Sequence, residues 1–135
     1  MKVLIDTPIW SYAFRSQNNN HQNEINQLIS LIEDQRTILI GPIRQEILSG
    51  YSDLEKFQKI KEKLSYFENT VIEDSDYELA AESSNKCRMS GIQGSHIDFL
   101  ICAVAIRLDC QIFTTDKDFD HYQKILPIKL YKNFG

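Results

Sequence analysis

Short apolar stretches alternate with helical segments along the chain, and this alternation restricts the possible folds more than any other feature. The apolar stretches cover residues 2–6, 37–41, 111–115 and 128–131. Helix-start signals or helical spacing of apolar residues mark 7–14, 22–34, 53–66, 75–89, 95–108 and a helix whose first turn contains Pro42. Strands that alternate with helices predict an α/β domain with three layers, in which helices cover both faces of a central parallel sheet.

The size of the chain fits one domain spanning residues 1–135, since 42% of the residues are hydrophobic and can form a core. The sequence has neither the apolar run of about 20 residues that crosses a membrane nor the features of a signal peptide. We therefore expect a soluble, cytoplasmic protein. Cys87, Cys102 and Cys110 lack metal-ligand spacing and are expected to be reduced core thiols. The polar stretch 17–23 is expected to form a surface loop.

The overall charge of the chain is acidic, with a formal net charge of −4. Proteins that bind nucleic acid through a broad charged surface are usually basic. Any nucleic-acid function of this chain must therefore depend on a local site, on a bound cation or on a few well-placed Lys and Arg residues.

Two acids are predicted at the ends of strands. Asp6 closes the first apolar stretch and Asp116 follows the third. The carboxyl ends of parallel strands meet at one edge of a sheet, where α/β proteins bind ligands. Thr7 and Pro8 begin the following helix, and Thr7 is the predicted N-cap.

Two further acids are predicted at unusual positions on helices. Glu46 is expected on the inward stripe of its helix, at i+3 from Ile43. Asp98 lies in the first turn of a helix that is apolar on every side, and Ser95 precedes it at the spacing of a capping box. Each of the four acids also has an ordinary structural interpretation, as a cap, a turn residue or an acid with a basic partner.

Four carboxylates at one sheet edge would repel one another, and a hard cation such as Mg²⁺ relieves that repulsion with oxygen ligands. Carboxylate-bound Mg²⁺ or Mn²⁺ supports attack of water on phosphate esters. We predict that Asp6 and Asp98 are direct metal ligands, and that Glu46 and Asp116 complete the site or orient the attacking water. Hydroxyl groups beside these acids are expected to hold them by hydrogen bonds, from Thr7 and from Thr114 or Thr115.

Four segments resemble, in order and spacing, the PIN-domain family and within it the VapC-like toxins: VLIDTPIW, RQEIL, SHIDFLICAVA and FTTDKDF. The resemblance implies a parallel sheet flanked by helices, a Mg²⁺ or Mn²⁺ cofactor and endonucleolytic cleavage of RNA. It also implies a homodimer that a small antitoxin neutralises. Catalytic and metal-binding roles would fall on Asp6, Glu46, Asp98 and Asp116, with Asp118 as an alternative fourth acid.

Two other functions remain open. A phosphohydrolase that forms an aspartyl-phosphate normally carries a second acid two residues after the strand-end Asp, where this chain has Pro8. A PIN-like module that only binds a partner would be expected to lack some of the acids.

A row of lysines also has two interpretations. Lys56, Lys59, Lys61 and Lys63 are typical of a solvated helix face. Alternatively, together with Arg44 or Lys117, they contact the phosphates of RNA.

Overall fold

A computed structural model describes residues 1–15 and 19–132. The strands are β1 (Val3–Ile5), β2 (Thr37–Ile38), β3 (Gln111–Phe113) and β4 (Lys129–Leu130). The helices are α1 (Thr7–Phe14), α2 (Gln22–Glu33), α3 (Gly41–Ser49), α4 (Leu54–Leu64), α5 (Asp74–Met89), α6 (His96–Leu108) and α7 (Asp118–Gln123).

The four strands form one parallel sheet in the order β2-β1-β3-β4. The central strands β1 and β3 are in register, with Val3 opposite Gln111 and Ile5 opposite Phe113. The residues that follow them therefore meet at the same edge. The strand order reverses between β1 and β3, and that reversal is where open α/β sheets form a binding crevice. The predicted parallel sheet flanked by helices is confirmed.

Three local predictions need correction. Asp6, and not Thr7, is the N-cap of α1, because its carboxylate accepts a hydrogen bond from the Thr7 amide. Helix α7 was not predicted, since six residues are too few for a recognisable apolar period. Within the predicted loop 17–23, residues 19–21 form a 3₁₀ turn and α2 begins at Gln22, while residues 16–18 lie outside the described part.

Helix α6 forms much of the core, since every residue from Phe99 to Ala105 is buried. All three cysteines are buried and unpaired, as predicted. Helix α5 packs on α6, and the buried carboxylate of Asp76 accepts a hydrogen bond from Arg107 Nε at 2.7 Å. Within the described residues, no helix has the length and apolar character needed to cross a membrane.

Candidate active site at the sheet edge

Asp6 lies at the junction of β1 and α1 and is nearly inaccessible to solvent, with 5% of its surface exposed. Its Oδ1 accepts a hydrogen bond from the Thr7 amide at 2.8 Å, which caps the helix. Its Oδ2 accepts a second hydrogen bond from Thr114 Oγ1, also at 2.8 Å, at the end of the neighbouring strand β3. The two adjacent strand ends therefore fix the orientation of this carboxylate.

Asp98 lies in the first turn of α6, where the helix dipole favours a negative charge. Ser95 caps the helix, because its Oγ accepts a hydrogen bond from the Asp98 amide at 3.1 Å. The Asp98 side chain is half-buried. Its Oδ2 accepts a hydrogen bond from the Tyr122 hydroxyl at 2.6 Å, across 24 residues of sequence.

Gly94 leaves the space that the Tyr122 hydroxyl occupies. A Cβ atom at position 94 would lie 2.2 Å from Tyr122 Oη and 2.7 Å from its Cζ. Contacts shorter than about 3 Å do not occur between non-bonded carbon and oxygen atoms in well-packed proteins. A side chain at position 94 would therefore displace Tyr122, the loop or both.

The turn between β3 and α7 carries two more acids in a fixed arrangement. Thr114 Oγ1, which donates to Asp6, accepts a hydrogen bond from the Asp116 amide at 3.0 Å. Asp116 Oδ1 in turn accepts a hydrogen bond from the Asp118 amide at 2.9 Å. Thr115 points elsewhere, since its hydroxyl is 2.8 Å from the Tyr12 hydroxyl.

Carboxylate oxygens of Asp98, Asp116 and Asp118 lie within 4.8 Å of one another. Asp6 is outside this group of three but close enough for its charge to interact with those of Asp98 and Glu46. The structure thus places all four predicted acids around one sheet edge, and it brings both Asp116 and Asp118 within 4.8 Å of Asp98. We call these five residues the acid cluster.

The prediction that Glu46 faces inward is wrong, because its side chain is exposed while Ile43 and Ile47 are buried. With about 100° between successive helical residues, Glu46 lies roughly 80° from the middle of the Ile43–Ile47 face. It therefore lies at the flank of α3. From there its charge still reaches Asp6.

Burial and mutual repulsion disturb the two inner carboxyl groups. Burial is the largest effect that raises the pKa of Asp6 to about 6, and the charges of Asp98 and Glu46 add to it, against the hydrogen bonds from Thr114 and Thr7. Burial also raises the pKa of Asp98, and Asp116 and Asp118 contribute in the same direction. Both carboxylates are therefore held at a cost in free energy.

The donor set of the acid cluster suits a hard divalent cation. All its side-chain donors are carboxylate oxygens, which Mg²⁺ and Mn²⁺ prefer, and no His or Cys is among them. In the described part of the chain, no ion pair joins a Lys, Arg or His to any of the five acids. The prediction that the Thr7 hydroxyl holds an acid by a hydrogen bond is wrong, because the buried Thr7 Oγ1 has no hydrogen-bond partner among the described residues. A bound divalent cation would offset the negative charge of the acid cluster.

Tyr122 and Gly94 were missed by the sequence analysis. Tyr122 lies in the short helix α7, and no local pattern distinguishes it from any other core tyrosine. Only the tertiary fold shows that its hydroxyl reaches Asp98 and that Gly94 makes room for it.

The sequence matches the PIN domain family over residues 3–125, and the chain therefore belongs to that family. This membership confirms the resemblance seen in the sequence and agrees with the parallel sheet and its flanking helices.

Two relatives have VapC names. The chain is 32% identical over 125 residues to "VapC ribonuclease Mb1587" of Mycobacterium bovis, covering 91% of this chain and 92% of that protein. It has the same identity to "Ribonuclease VapC11" of Mycobacterium tuberculosis, with the same coverage of both chains.

Solved structures share the fold at low sequence identity. The crystal structure of FitAcB from Neisseria gonorrhoeae matches with a TM-score of 0.78 and 19% identity, covering 96% of each chain. VapBC2 from Rickettsia felis, bound to a DNA fragment from its promoter, matches with a TM-score of 0.75 and 19% identity, covering 97% of this chain and 98% of that chain.

Proposed function

We propose that residues 1–135 form a single-domain, Mg²⁺- or Mn²⁺-dependent RNA endonuclease that acts as the toxin of a toxin–antitoxin pair. The observation that carries this proposal is the acid cluster, in which three carboxylates lie within 4.8 Å of one another and two more adjoin them. The ribonuclease names of relatives that match over most of the chain support RNA as the substrate.

The residues of the acid cluster would have two different roles, metal binding and orientation of the attacking water. Asp98, with Asp116 and Asp118, would hold the cation, and Asp6 would complete the site from the neighbouring strand. Glu46, at the exposed rim, would accept a hydrogen bond from the attacking water and orient it. When bound, Mg²⁺ or Mn²⁺ would favour attack of water in line at phosphorus and offset the charge that develops there.

The neighbouring groups would keep these carboxylates in place. Thr114 donates to Asp6 and also accepts from the Asp116 amide, so one hydroxyl links two acids. Tyr122 donates to Oδ2 of Asp98, and Ser95 also hydrogen-bonds with this carboxylate. Groups of this kind orient metal ligands in other metalloenzymes.

An antitoxin partner is supported by the similarity in fold to VapBC and FitAB structures. We further propose a homodimer and a cytoplasmic location, as the resemblance to VapC-like toxins implies. A short antitoxin would then silence the enzyme by covering the edge of the sheet that carries the acid cluster.

The experiment is cleavage of labelled RNAs by purified protein free of antitoxin, with Mg²⁺, with Mn²⁺ or with EDTA. We expect metal-dependent cutting that Asp98→Asn lowers by more than about 100-fold, since even groups that only orient metal ligands contribute about 10- to 100-fold. Asp120→Asn is the matched control, because Asp120 is an exposed acid of α7 outside the acid cluster.

Equal cutting in EDTA, or full activity of the Asp98→Asn protein, would contradict the metal-dependent site. If correctly folded protein cuts no RNA in any metal, the nuclease proposal is wrong, and a module that only binds a partner becomes the better account.

A further inference from the structure

A groove with basic walls lies between the end of α1, the α3–α4 turn and α4. Its volume is about 570 Å³. Asp53 is the only acid among the described residues that line it, and four cationic side chains line it as well: Arg15, Lys56, Lys59 and Lys63. We call it the basic groove. A local excess of three positive charges contrasts with the net charge of −4 of the whole chain.

The four cations of the basic groove are available to an outside anion. Among the residues that the structure describes, none of these cations takes part in an ion pair. The single acid, Asp53, is the N-cap of α4, where its carboxylate faces the Lys56 amide. Its charge is therefore partly offset by the start of the helix and does not bind the lysine ammonium groups.

Aromatic rings hold two of the cations at the wall of the groove. The Arg15 guanidinium lies 5.6 Å from the centre of the Tyr51 ring, and Lys63 Nζ lies 6.0 Å from the centre of the Phe14 ring. A Cβ at Gly50 would lie 3.0 Å from Arg15 Nη2, so a side chain there would require a small shift of the guanidinium. Such cation–π contacts place a cation without neutralising its charge.

The spacing of the lysines suits a polymer with regularly spaced charges. Lys56, Lys59 and Lys63 occupy positions i, i+3 and i+7 of α4, so they form a row along one face. The row is about 10 Å long at 1.5 Å per residue. Lys61 lies on the same helix but does not line the basic groove.

The basic groove and the acid cluster are linked through α3, which carries Glu46 and has Gly50 as its C-cap. Glu46 belongs to the acid cluster, and Gly50, which lines the groove, follows one helical turn later, about 6 Å along the helix axis. A chain whose scissile phosphate lies at the acids would therefore meet the lysines on leaving the site.

We propose that the basic groove binds the phosphate backbone of single-stranded RNA next to the scissile bond. This inference rests on the proposed function, which it extends by placing the flanking nucleotides. The separation of one helical turn between Glu46 and Gly50 favours a nucleic-acid strand that also reaches the acids over an acidic protein segment. Aromatic rings interleaved with cations are also typical of surfaces that bind single strands.

The test is fluorescence anisotropy of a short labelled single-stranded RNA in EDTA, where no metal-dependent cleavage occurs, over a salt series. The triple variant Lys56→Ala/Lys59→Ala/Lys63→Ala should reduce the slope of log affinity against log salt by about 2, at about 0.7 per phosphate contact in single strands. If these contacts contribute nothing at about 1 M salt, the same difference in slope predicts that the triple variant binds RNA roughly 50-fold more weakly than the original protein at about 0.15 M salt.

The matched control is the triple variant Lys61→Ala/Lys86→Ala/Lys132→Ala, which removes the same charge from exposed lysines outside the groove. It should keep most of the affinity and the salt slope of the original protein. Because all six lysines are exposed, circular dichroism should show native folding of both variants.

Equal losses in the two triple variants, or no loss in the groove variant, would overturn the proposal. A parallel titration with labelled polyglutamate tests whether an acidic protein segment binds in the groove instead of RNA. If the groove lysines matter for that peptide and not for RNA, the groove binds an acidic protein segment instead. If the original protein cuts RNA and its groove variant binds RNA normally, only the proposal for the groove is refuted. A protein that neither binds nor cuts RNA refutes the proposed function.

Discussion

The substitution Tyr122→Phe removes a single oxygen atom from beside Asp98. The Tyr122 ring is buried and packs on Phe99 and Phe119, with ring centres 4.9 Å and 5.1 Å away. Phenylalanine keeps these contacts. The change therefore tests the 2.6 Å hydrogen bond to Asp98 with little effect on the packing of α6 against α7.

The size of the effect follows from the charge and exposure of Asp98. A hydrogen bond to a charged group contributes about 1.5–3 kcal/mol. Asp98 is half-buried, so water can replace part of the lost bond, and we expect the lower end of that range. For metal binding, loss of a group that orients a metal ligand typically weakens affinity about 10- to 100-fold, and we expect about tenfold, or about 1.4 kcal/mol. Loss of the hydrogen bond itself should lower the melting temperature of the metal-free protein by only a few degrees.

Isothermal titration of the metal-free protein with Mn²⁺ measures this effect without any need for RNA cleavage. Tyr66→Phe is the control, because Tyr66 is 82% exposed and lies outside the acid cluster. We expect its Kd for Mn²⁺ to match that of the original protein. A natively folded Tyr122→Phe protein whose Kd changes by less than about twofold would refute the claim that this hydroxyl orients Asp98.

Three further substitutions test other parts of the structure. Gly94→Ala should weaken Mn²⁺ binding at least as much as Tyr122→Phe, since its Cβ would lie 2.2 Å from the Tyr122 hydroxyl; an unchanged Kd would contradict this. Because the pKa of Asp6 rises from 3.8 to about 6 on folding, metal-free protein should lose stability as pH rises from about 4 through 6. At about pH 7.5, Asp6→Asn should then raise the free energy of unfolding of the metal-free protein in urea by up to about 3 kcal/mol. An unchanged free energy of unfolding would contradict the claim that the buried charge of Asp6 destabilises the fold. Arg107→Met should destabilise the protein, because Asp76 would remain buried without its ionic partner; an unchanged free energy of unfolding would show that Asp76 is accommodated otherwise.

The sequence predicted the fold well where the pattern was local and apolar. The stretch ending at Asp6 and the stretch before Asp116 are strands because short apolar runs bounded by helix starts have few alternatives. The buried helix from His96 to Leu108 was equally evident from its composition. Helix α7 was missed, because its six residues take their conformation from the packing of Phe119 and Tyr122 in the core.

The acid cluster was predictable in its membership but not in its environment. Strand ends and helix starts identified Asp6, Asp98 and Asp116, because parallel topology brings such positions to one edge. The inward orientation predicted for Glu46 is wrong because this residue lies roughly 80° from the middle of the Ile43–Ile47 face, at the edge of the buried stripe. The hydrogen bond from Tyr122 to Asp98 joins residues distant in sequence, and no local pattern encodes it.

The central claim is that the acid cluster uses a divalent cation and water to hydrolyse RNA. The most direct measurement is cleavage in water enriched in oxygen-18, with Mg²⁺, followed by mass spectrometry of the new RNA ends. Attack by water predicts an oxygen-18 atom in the new terminal phosphate and no cyclic phosphate. Early products that carry a 2′,3′-cyclic phosphate without oxygen-18, formed equally in EDTA, would show attack by the ribose hydroxyl and contradict the account.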